Sequence, residues 1–303
     1  MVRVVDPSSI AIIVNTGDDM VLHGLHISPD IDTLLYTLAG LNNTETGWGV
    51  DNDTWSVMSA LEKLGGQTWF RLGDADLATH LYRTQRMSEG ASLSEVTTEL
   101  FAGHQIATRV IPMSDSAVRT RLTISNDSEG GVEHEIDFQE YFVRLAHQVR
   151  VRALRFDGAN EASPAPGVLE AIADAERIVI CPSNPLVSIG PILAVPGIRD
   201  ALVARRDDVF AVSPIVAGKA LKGPADHMMD ELGFHPSSLG VARLYSDWVS
   251  TLVIDNLDAH LRSDIEAEGL GCVVTDTVMS HVEIAANICS RIIASPRHNV
   301  VAI

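Results

Sequence analysis

Short runs of β-branched residues alternate along the chain with segments whose apolar positions recur three and four residues apart. That alternation predicts parallel strands covered by helices on both faces. Ile10-Ala11-Ile12-Ile13-Val14 is the first run; Arg177 to Cys181, Val209 to Ser213, Thr251 to Ile254 and Cys272 to Thr275 follow in the C-terminal half. Each is apolar on both faces and closes on polar or turn residues, as strands in a sheet interior do. Val168 to Ala175 and Ala285 to Ile293 carry helical spacing between them. The expected architecture is a doubly wound α/β core.

Two regions break the rhythm. From about Leu41 to Gly103 helix signals dominate: Asp53 is placed to N-cap a segment with Val57, Met58, Leu61 and Leu64 on one face, Gly65-Gly66 would end it, and Ser92-Leu93-Ser94-Glu95 is a capping box. The expected domain division is therefore a core of residues 1–40 and 104–303 with a helical insertion at 41–103. From Ala107 to about Phe142, alternation in Arg119 to Ile124 and in Ile136 to Phe142 predicts antiparallel strands joined near Asn126 to Gly131.

Composition narrows the class. The 303 residues carry 22 Lys+Arg against 40 Asp+Glu, a formal charge of −18, which opposes a nucleic-acid partner because phosphate-backbone affinity needs clustered cations. Cys181, Cys272 and Cys289 are odd in number and widely spaced, which fits a reducing cytoplasm better than a disulfide framework. No basic leader precedes a long apolar run and no stretch approaches about 18 apolar residues, so a cytoplasmic protein without membrane contact is expected.

Ligands of open α/β sheets bind at the carboxyl ends of strands. After Val14 come Asp18 and Asp19, and then Asp30 and Asp32 beside Thr33. Four carboxylates so close repel one another unless cations or donors offset them. Singly, each could cap a turn or a helix; as a set they resemble the hard oxygen ligands that Mg²⁺ uses when it also holds a phosphate. The loop after Cys181 offers Ser183 and Asn184, and the loop after Val212 offers Ser213, Lys219 and Lys222. Both could present donors to a phosphate, or be a Pro-stiffened connection and solvated lysines respectively. Arg71, Asp74, Asp76, Thr79 and His80 crowd one helix start, as a ligand site or a salt-bridged cap would. Calcium-loop, zinc, hydrolase-elbow, P-loop and dinucleotide patterns all fail at required positions.

Taken in order, Val14-Asn15-Thr16-Gly17-Asp18-Asp19, Ser28-Pro29-Asp30-Ile31-Asp32-Thr33, Gly47-Trp48-Gly49, Leu72-Gly73-Asp74, Leu77-Ala78-Thr79-His80, Pro112-Met113-Ser114-Asp115, Phe138-Gln139-Glu140, Pro182-Ser183-Asn184-Pro185, Ser188-Ile189-Gly190-Pro191-Ile192 and Ser213-Pro214-Ile215 resemble the CofD family, known in actinobacteria as FbiA. These are the 2-phospholactate transferases of coenzyme F-420 biosynthesis. The resemblance implies a Rossmann-like core with a smaller helical insertion contributing to the deazaflavin site. It also implies Mg²⁺-dependent transfer of a 2-phospholactyl or phosphoenolpyruvyl group from a guanosine diphosphate ester to the deazaflavin alcohol Fo, with release of GMP. By the same resemblance Asp32 and Arg71 contact Fo. Asp18 and Asp32 are the first candidates for both catalysis and the metal, with Asp19 and Asp30 second. Thr33, His80, Ser183, Asn184, Ser213, Lys219 and Lys222 complete the expected substrate site. A homodimer is a candidate assembly.

Family members begin with a strand and a glycine-rich loop before the Val-Asn segment, whereas nine residues precede Ile10. The resemblance therefore implies a sheet short of one central strand, with unpaired neighbours. The competing reading is a non-catalytic nucleotide-sugar-binding regulator of the same superfamily; a metal phosphohydrolase is a third.

Overall fold

The computed structural model describes residues 1–44, 47–125, 131–293 and 299–303. Seven strands form one parallel sheet in the order Gly271–Val274, Thr251–Ile254, Val209–Val212, Arg177–Ile180, Val300–Ala302, Ile10–Val14, Arg109–Pro112. Alternate residues of these strands feed different cores. Ile178 and Ile180 pack with Val168, Leu202 and Trp248, whereas Val179 packs with Ile288 and Ile292 of the Val282–Ile292 helix. Val14 and Val110 meet Ile31 and Leu35 of the Pro29–Ala39 helix. Both faces of the sheet are thus buried, which is why its strands read as unbroken apolar runs. The expected α/β class holds.

The central slot beside Ile10–Val14 is not empty. Val300–Ala302 pairs with Ile10, Ala11 and Ile12 on one side and with Arg177, Ile178 and Val179 on the other. Beyond it, the Ile303 amide donates to the Val179 carbonyl at 3.0 Å and the Cys181 amide to the Ile303 carbonyl at 2.7 Å. The expectation of unpaired neighbours is corrected: three apolar residues at the end of the chain, too few to read as a strand, satisfy both edges.

Two further corrections fall between Ala107 and Phe142. Arg109–Pro112 is a parallel edge strand of the main sheet, and the antiparallel sheet is three-stranded, Glu133–Asp137, Arg119–Ser125 and Arg150–Asp157. The Ile136 strand also stops at Asp137, after which Glu140–Arg144 winds into a π-helical turn. Phe138, Tyr141 and Phe142 stand three and four apart; Tyr141 is buried, and Phe142 stacks on Phe138 with centroids 5.6 Å apart. Helical spacing there outweighs the polar alternation. The expected turn at Asn126 to Ser128, Glu129 and Gly130 lies outside the described residues.

The two sheets meet at Gly17. Its carbonyl accepts from the Thr120 amide at 2.8 Å, and a Cβ there would come within 2.7 Å of Thr120 Oγ1 and 2.9 Å of Pro191 Cβ. Only glycine allows that approach.

Residues 41–103 hold the helices Ser56–Lys63, Asp74–Ser88 and Leu93–Gly103. The Ser92–Glu95 capping box forms as expected. Asp53 does not cap its own helix. Its carboxylate accepts from the Ala75 and Asp76 amides at 2.8 and 3.1 Å, while Asp74 accepts from the Ser56 and Val57 amides, both at 3.0 Å. Each aspartate caps the other's helix, an exchange invisible to local spacing. Gly73 makes room, since a Cβ would stand 2.0 Å from Asp53 Oδ2.

The hydrogen bond from Thr54 and the amides of Val57 and Ser56 hold Asp74 down at about 2. Its stabilisation is therefore complete above the unfolded carboxyl value and is lost as pH falls through about 2. Asp74→Ala is expected to lower the thermal midpoint at neutral pH, with the gap to the parent protein closing as the solution is acidified. A gap unchanged in acid would contradict the cap.

Candidate functional site

At the carboxyl ends of the strands lies a cavity of about 850 Å³. Asp18, Asp30, Asp32, Thr33, Arg71, His80, Ser183, Asn184, Ser213 and Lys222 all line it. The positions that sequence scattered over two hundred residues are thus brought together by the parallel sheet, whose strands all end on one side. Asp19 and Lys219 are not in the lining: Asp19 is buried behind it, and Lys219 is exposed and paired with Asp226 at 3.2 Å.

The carboxylates are fixed by the turn after Val14 and by the first turn of Pro29–Ala39. Asn15 Oδ1 accepts from the Gly17 amide at 2.7 Å, and Asn15 Nδ2 donates to Asp30 Oδ2 at 3.0 Å, tying strand end to helix start. Asp19 Oδ2 accepts from Ser28 Oγ at 2.7 Å and lies 3.1 Å from His26 Nε2. Asp18 Oδ1 and Asp19 Oδ1 are buried and have no hydrogen-bond partner among the described residues. Burial, reinforced by Asp30, pushes Asp18 well above the usual carboxylate range; burial raises Asp30 to about 6, with Asp19 and Asp32 adding to it. Two orphaned buried oxygens among crowded hard donors suit a divalent cation of the Mg²⁺ type, whose remaining positions are filled by water and substrate oxygens.

Asp32 has other partners. Arg83, fully buried, grips both of its oxygens, with Nη1 3.2 Å from Oδ2 and Nη2 on Oδ1. Burial raises Asp32, while Arg83 and then His80 oppose that rise. The His80 ring stands between two carboxylates, Nδ1 3.5 Å from Asp32 Oδ2 and Nε2 3.2 Å from Asp76 Oδ1. Tyr36 donates to Asp76 Oδ1 at 2.6 Å. Against its burial, His80 and the Tyr36 hydroxyl hold Asp76 below its ordinary value. Among the described residues, Asp32, Asp76 and His80 are the one trio with ligand atoms all within 4.8 Å of one another. Asp76, His80 and Arg83 share one helix face by their spacing of four and three, a signal present in the sequence that identified only His80 for the substrate site.

Much of the remaining lining is apolar. Phe138, Phe142, Trp48 and Phe70 contribute aromatic surface, and the Arg71 guanidinium lies over the Trp55 ring, 4.3 Å from its centroid. Of the two expected phosphate loops, part of the polar complement is already committed. Asn184 Oδ1 caps the Leu186 and Val187 amides at 2.9 and 3.4 Å. Ser213 Oγ lies 2.9 Å from the Ile215 carbonyl and 3.0 Å from Ser238 Oγ. Thr277 and Ser280 also line the cavity, from a loop that no sequence motif marked. No single helix among the described residues is long and apolar enough to cross a membrane.

An open parallel sheet with an acidic, aromatic-walled cavity at its strand ends is the architecture of a small-molecule site in a Rossmann-like fold. The model of the family 2-phospho-L-lactate transferase CofD matches residues 2–291, and the chain belongs to that family. It is 42% identical over 287 residues to a phosphoenolpyruvate transferase of Kitasatospora aureofaciens, covering 94% of this chain and 88% of the relative. A Streptomyces griseus protein of the same name is 43% identical over 281 residues, covering 92% and 87%. A third, from Mycolicibacterium smegmatis, is 40% identical over 275 residues, covering 90% and 84%. Among solved structures, a Bacillus halodurans protein superposes with a TM-score of 0.56 at 16% identity over 93% of this chain and 90% of that one. That likeness supports the fold alone.

The raised carboxyl of Asp30 gives a stability prediction with a definite sign. A group raised in the folded state stabilises below its unfolded value of 3.8, and that contribution is lost as pH rises through about 6. Asp30→Asn is expected to gain about 2–3 kcal/mol at neutral pH relative to the parent protein and nothing in acid. Loss of stability at neutral pH, read by thermal melts across this range, would contradict the crowding.

Proposed function

We propose that this protein transfers a phosphoenolpyruvyl or 2-phospholactyl group from a guanosine diphosphate ester to the hydroxyl of the deazaflavin Fo, releasing GMP. Family membership and the shared name of relatives at about 40% identity support a phosphate-group transferase of coenzyme F-420 biosynthesis. The observation that carries the rest is the joining, in one cavity, of partnerless buried carboxylate oxygen with aromatic wall. The first suits a cation and a diphosphate, the second a planar ring system. The relatives' names favour phosphoenolpyruvate as the transferred acid.

In the step itself the Fo hydroxyl oxygen forms a bond to the donor phosphorus while the bond from that phosphorus to the GMP oxygen breaks. The hydroxyl proton goes to a carboxylate, for which Asp32 is the candidate, and GMP leaves with the electron pair. Positioning and charge compensation dominate such reactions. Asp18 and Asp30, with Asp19 behind them, are the residues to hold Mg²⁺, which would offset the charge of the donor phosphates. The helical segment 41–103 supplies Arg71 and the Trp48 and Phe70 surface to the acceptor. Lys222 and Ser183 face the cavity as donors for the nucleotide end.

Mass spectrometry of Fo incubated with each guanylylated donor and Mg²⁺ tests this reading. A product carrying the phospho-acid is expected, and its absence with every donor would contradict it. Asp32→Asn, which removes charge and little volume, should lower kcat at least about 100-fold when assayed under conditions where circular dichroism shows the variant folded. Near-normal turnover would sink its role as proton acceptor. Arg71→Ala should weaken Fo binding about tenfold and donor binding much less, because its guanidinium offers stacking and hydrogen bonds to the ring. Equal losses for both ligands would return Arg71 to a structural role.

A further inference from the structure

We infer that Arg83, which does not touch the cavity, is a positioning residue for the transfer: by gripping both oxygens of Asp32 it fixes that carboxylate as the acceptor-side group and keeps it out of the cation site. The inference rests on the transferase reading above.

Arg83 lies on the Asp74–Ser88 helix behind the cavity wall and is fully buried. Its guanidinium makes more than an ion pair. Nη1 reaches Asp32 Oδ2 at 3.2 Å, the His26 carbonyl at 3.4 Å and His80 Nδ1 at 3.4 Å, while Nη2 holds Asp32 Oδ1. The fork is thus anchored to the Leu25–Ile27 strand, to the Pro29–Ala39 helix and to its own helix together.

A structural role alone is a poor account of this arrangement. Buried ion pairs are commonly replaceable by apolar residues of similar volume without loss of stability, because two charges must be stripped of water. Here one partner faces the cavity and the other does not, so the desolvation holds a reactive group in place. Each carboxylate oxygen keeps a further lone pair beyond the one the fork uses. Asp32 can therefore still accept a hydroxyl proton, in one fixed orientation. Its orientation is set by the fork, and although Asp32, Asp76 and His80 cluster with ligand atoms within 4.8 Å, the Arg83 charge on both Asp32 oxygens opposes a cation there. Asp18 differs on each point: its Oδ1 is buried with no partner among the described residues, and its turn and the neighbouring helix start bring Asp19 and Asp30 close to it instead of a cationic side chain. The structure thereby divides between Asp18 and Asp32 two tasks that the sequence assigned to both.

Lysine keeps the charge and most of the stem of arginine but cannot make a two-pronged contact. The test measures steady-state transfer, Mn²⁺ binding by calorimetry and folding by circular dichroism for the parent protein, Arg83→Lys, Asp32→Asn, Asp18→Asn and the Arg83→Lys/Asp32→Asn double variant. Transfer is assayed where each variant is folded. Arg83→Lys is expected to lower kcat about 100-fold and to leave KM for both substrates within about threefold and Mn²⁺ affinity within about twofold. The double variant should be no slower than Asp32→Asn alone. Asp18→Asn should weaken Mn²⁺ binding at least about tenfold and Asp32→Asn hardly at all.

Parent-like kcat in folded Arg83→Lys would overturn the inference, and so would Mn²⁺ binding that falls with Asp32→Asn. If Arg83→Lys does not fold, Arg83→Gln, neutral and able to donate one hydrogen bond, takes its place with the same expectation for kcat against KM. A parent protein that transfers nothing would overturn the transferase reading itself, whereas an active parent with an equally active Arg83→Lys would overturn only the positioning role.

Discussion

Like charges crowded at the end of one parallel strand set the terms for the rest of this site. Asp18, Asp19 and Asp32, all buried, and the half-buried Asp30 are brought together by a turn and the first turn of a helix, where little water is left to screen them. The structure meets that repulsion unevenly. Asp32 receives a buried guanidinium, Asp19 receives Ser28 and stands beside His26, and Asp30 receives Asn15. Asp18 keeps an oxygen with no partner. The uneven treatment differentiates four chemically identical side chains and leaves an excess of negative charge that a divalent cation would offset.

That arrangement depends on elements distant in sequence. The Asp74–Ser88 helix must lie against the Pro29–Ala39 helix for Arg83 to reach Asp32 and Tyr36 to reach Asp76. Its start is held by Asp53, whose own neighbouring helix is held in return by Asp74. The close approach at Gly17 brings the antiparallel sheet, with the Phe138 and Phe142 wall that follows it, to the same edge as the carboxylates. Charge, capping and backbone contact therefore act on one cavity.

Much of this was legible in sequence, for identifiable reasons. Five of the seven parallel strands are continuous apolar runs because both faces are covered, and such runs stand out. Arg109–Pro112 is hard to tell from the antiparallel strands that follow it because an edge strand four residues long carries little periodicity, and Val300–Ala302 is shorter still. The site residues were named in groups because each group follows a strand, but spacing could not show that Asn184 and Ser213 spend part of their hydrogen bonding on their own loops. Arg83 carries no local signal, because a lone arginine inside a helix reads as solvated surface. Its burial is a tertiary fact, created by the meeting of two helices around Asp32.

Transfer of a phosphate group to an acceptor, in preference to water, is the activity that the family and the cavity point to. The most direct test follows phosphorus through a single reaction: ³¹P nuclear magnetic resonance of the guanylylated phosphoenolpyruvate donor mixed with enzyme, Mg²⁺ and Fo. The donor's two coupled diphosphate signals should decay together, replaced in equal amounts by GMP and a new phosphodiester, with no conversion when Fo is left out. Donor breakdown at the same rate without Fo, giving GMP and free phospho-acid, would make the protein a hydrolase and contradict the account.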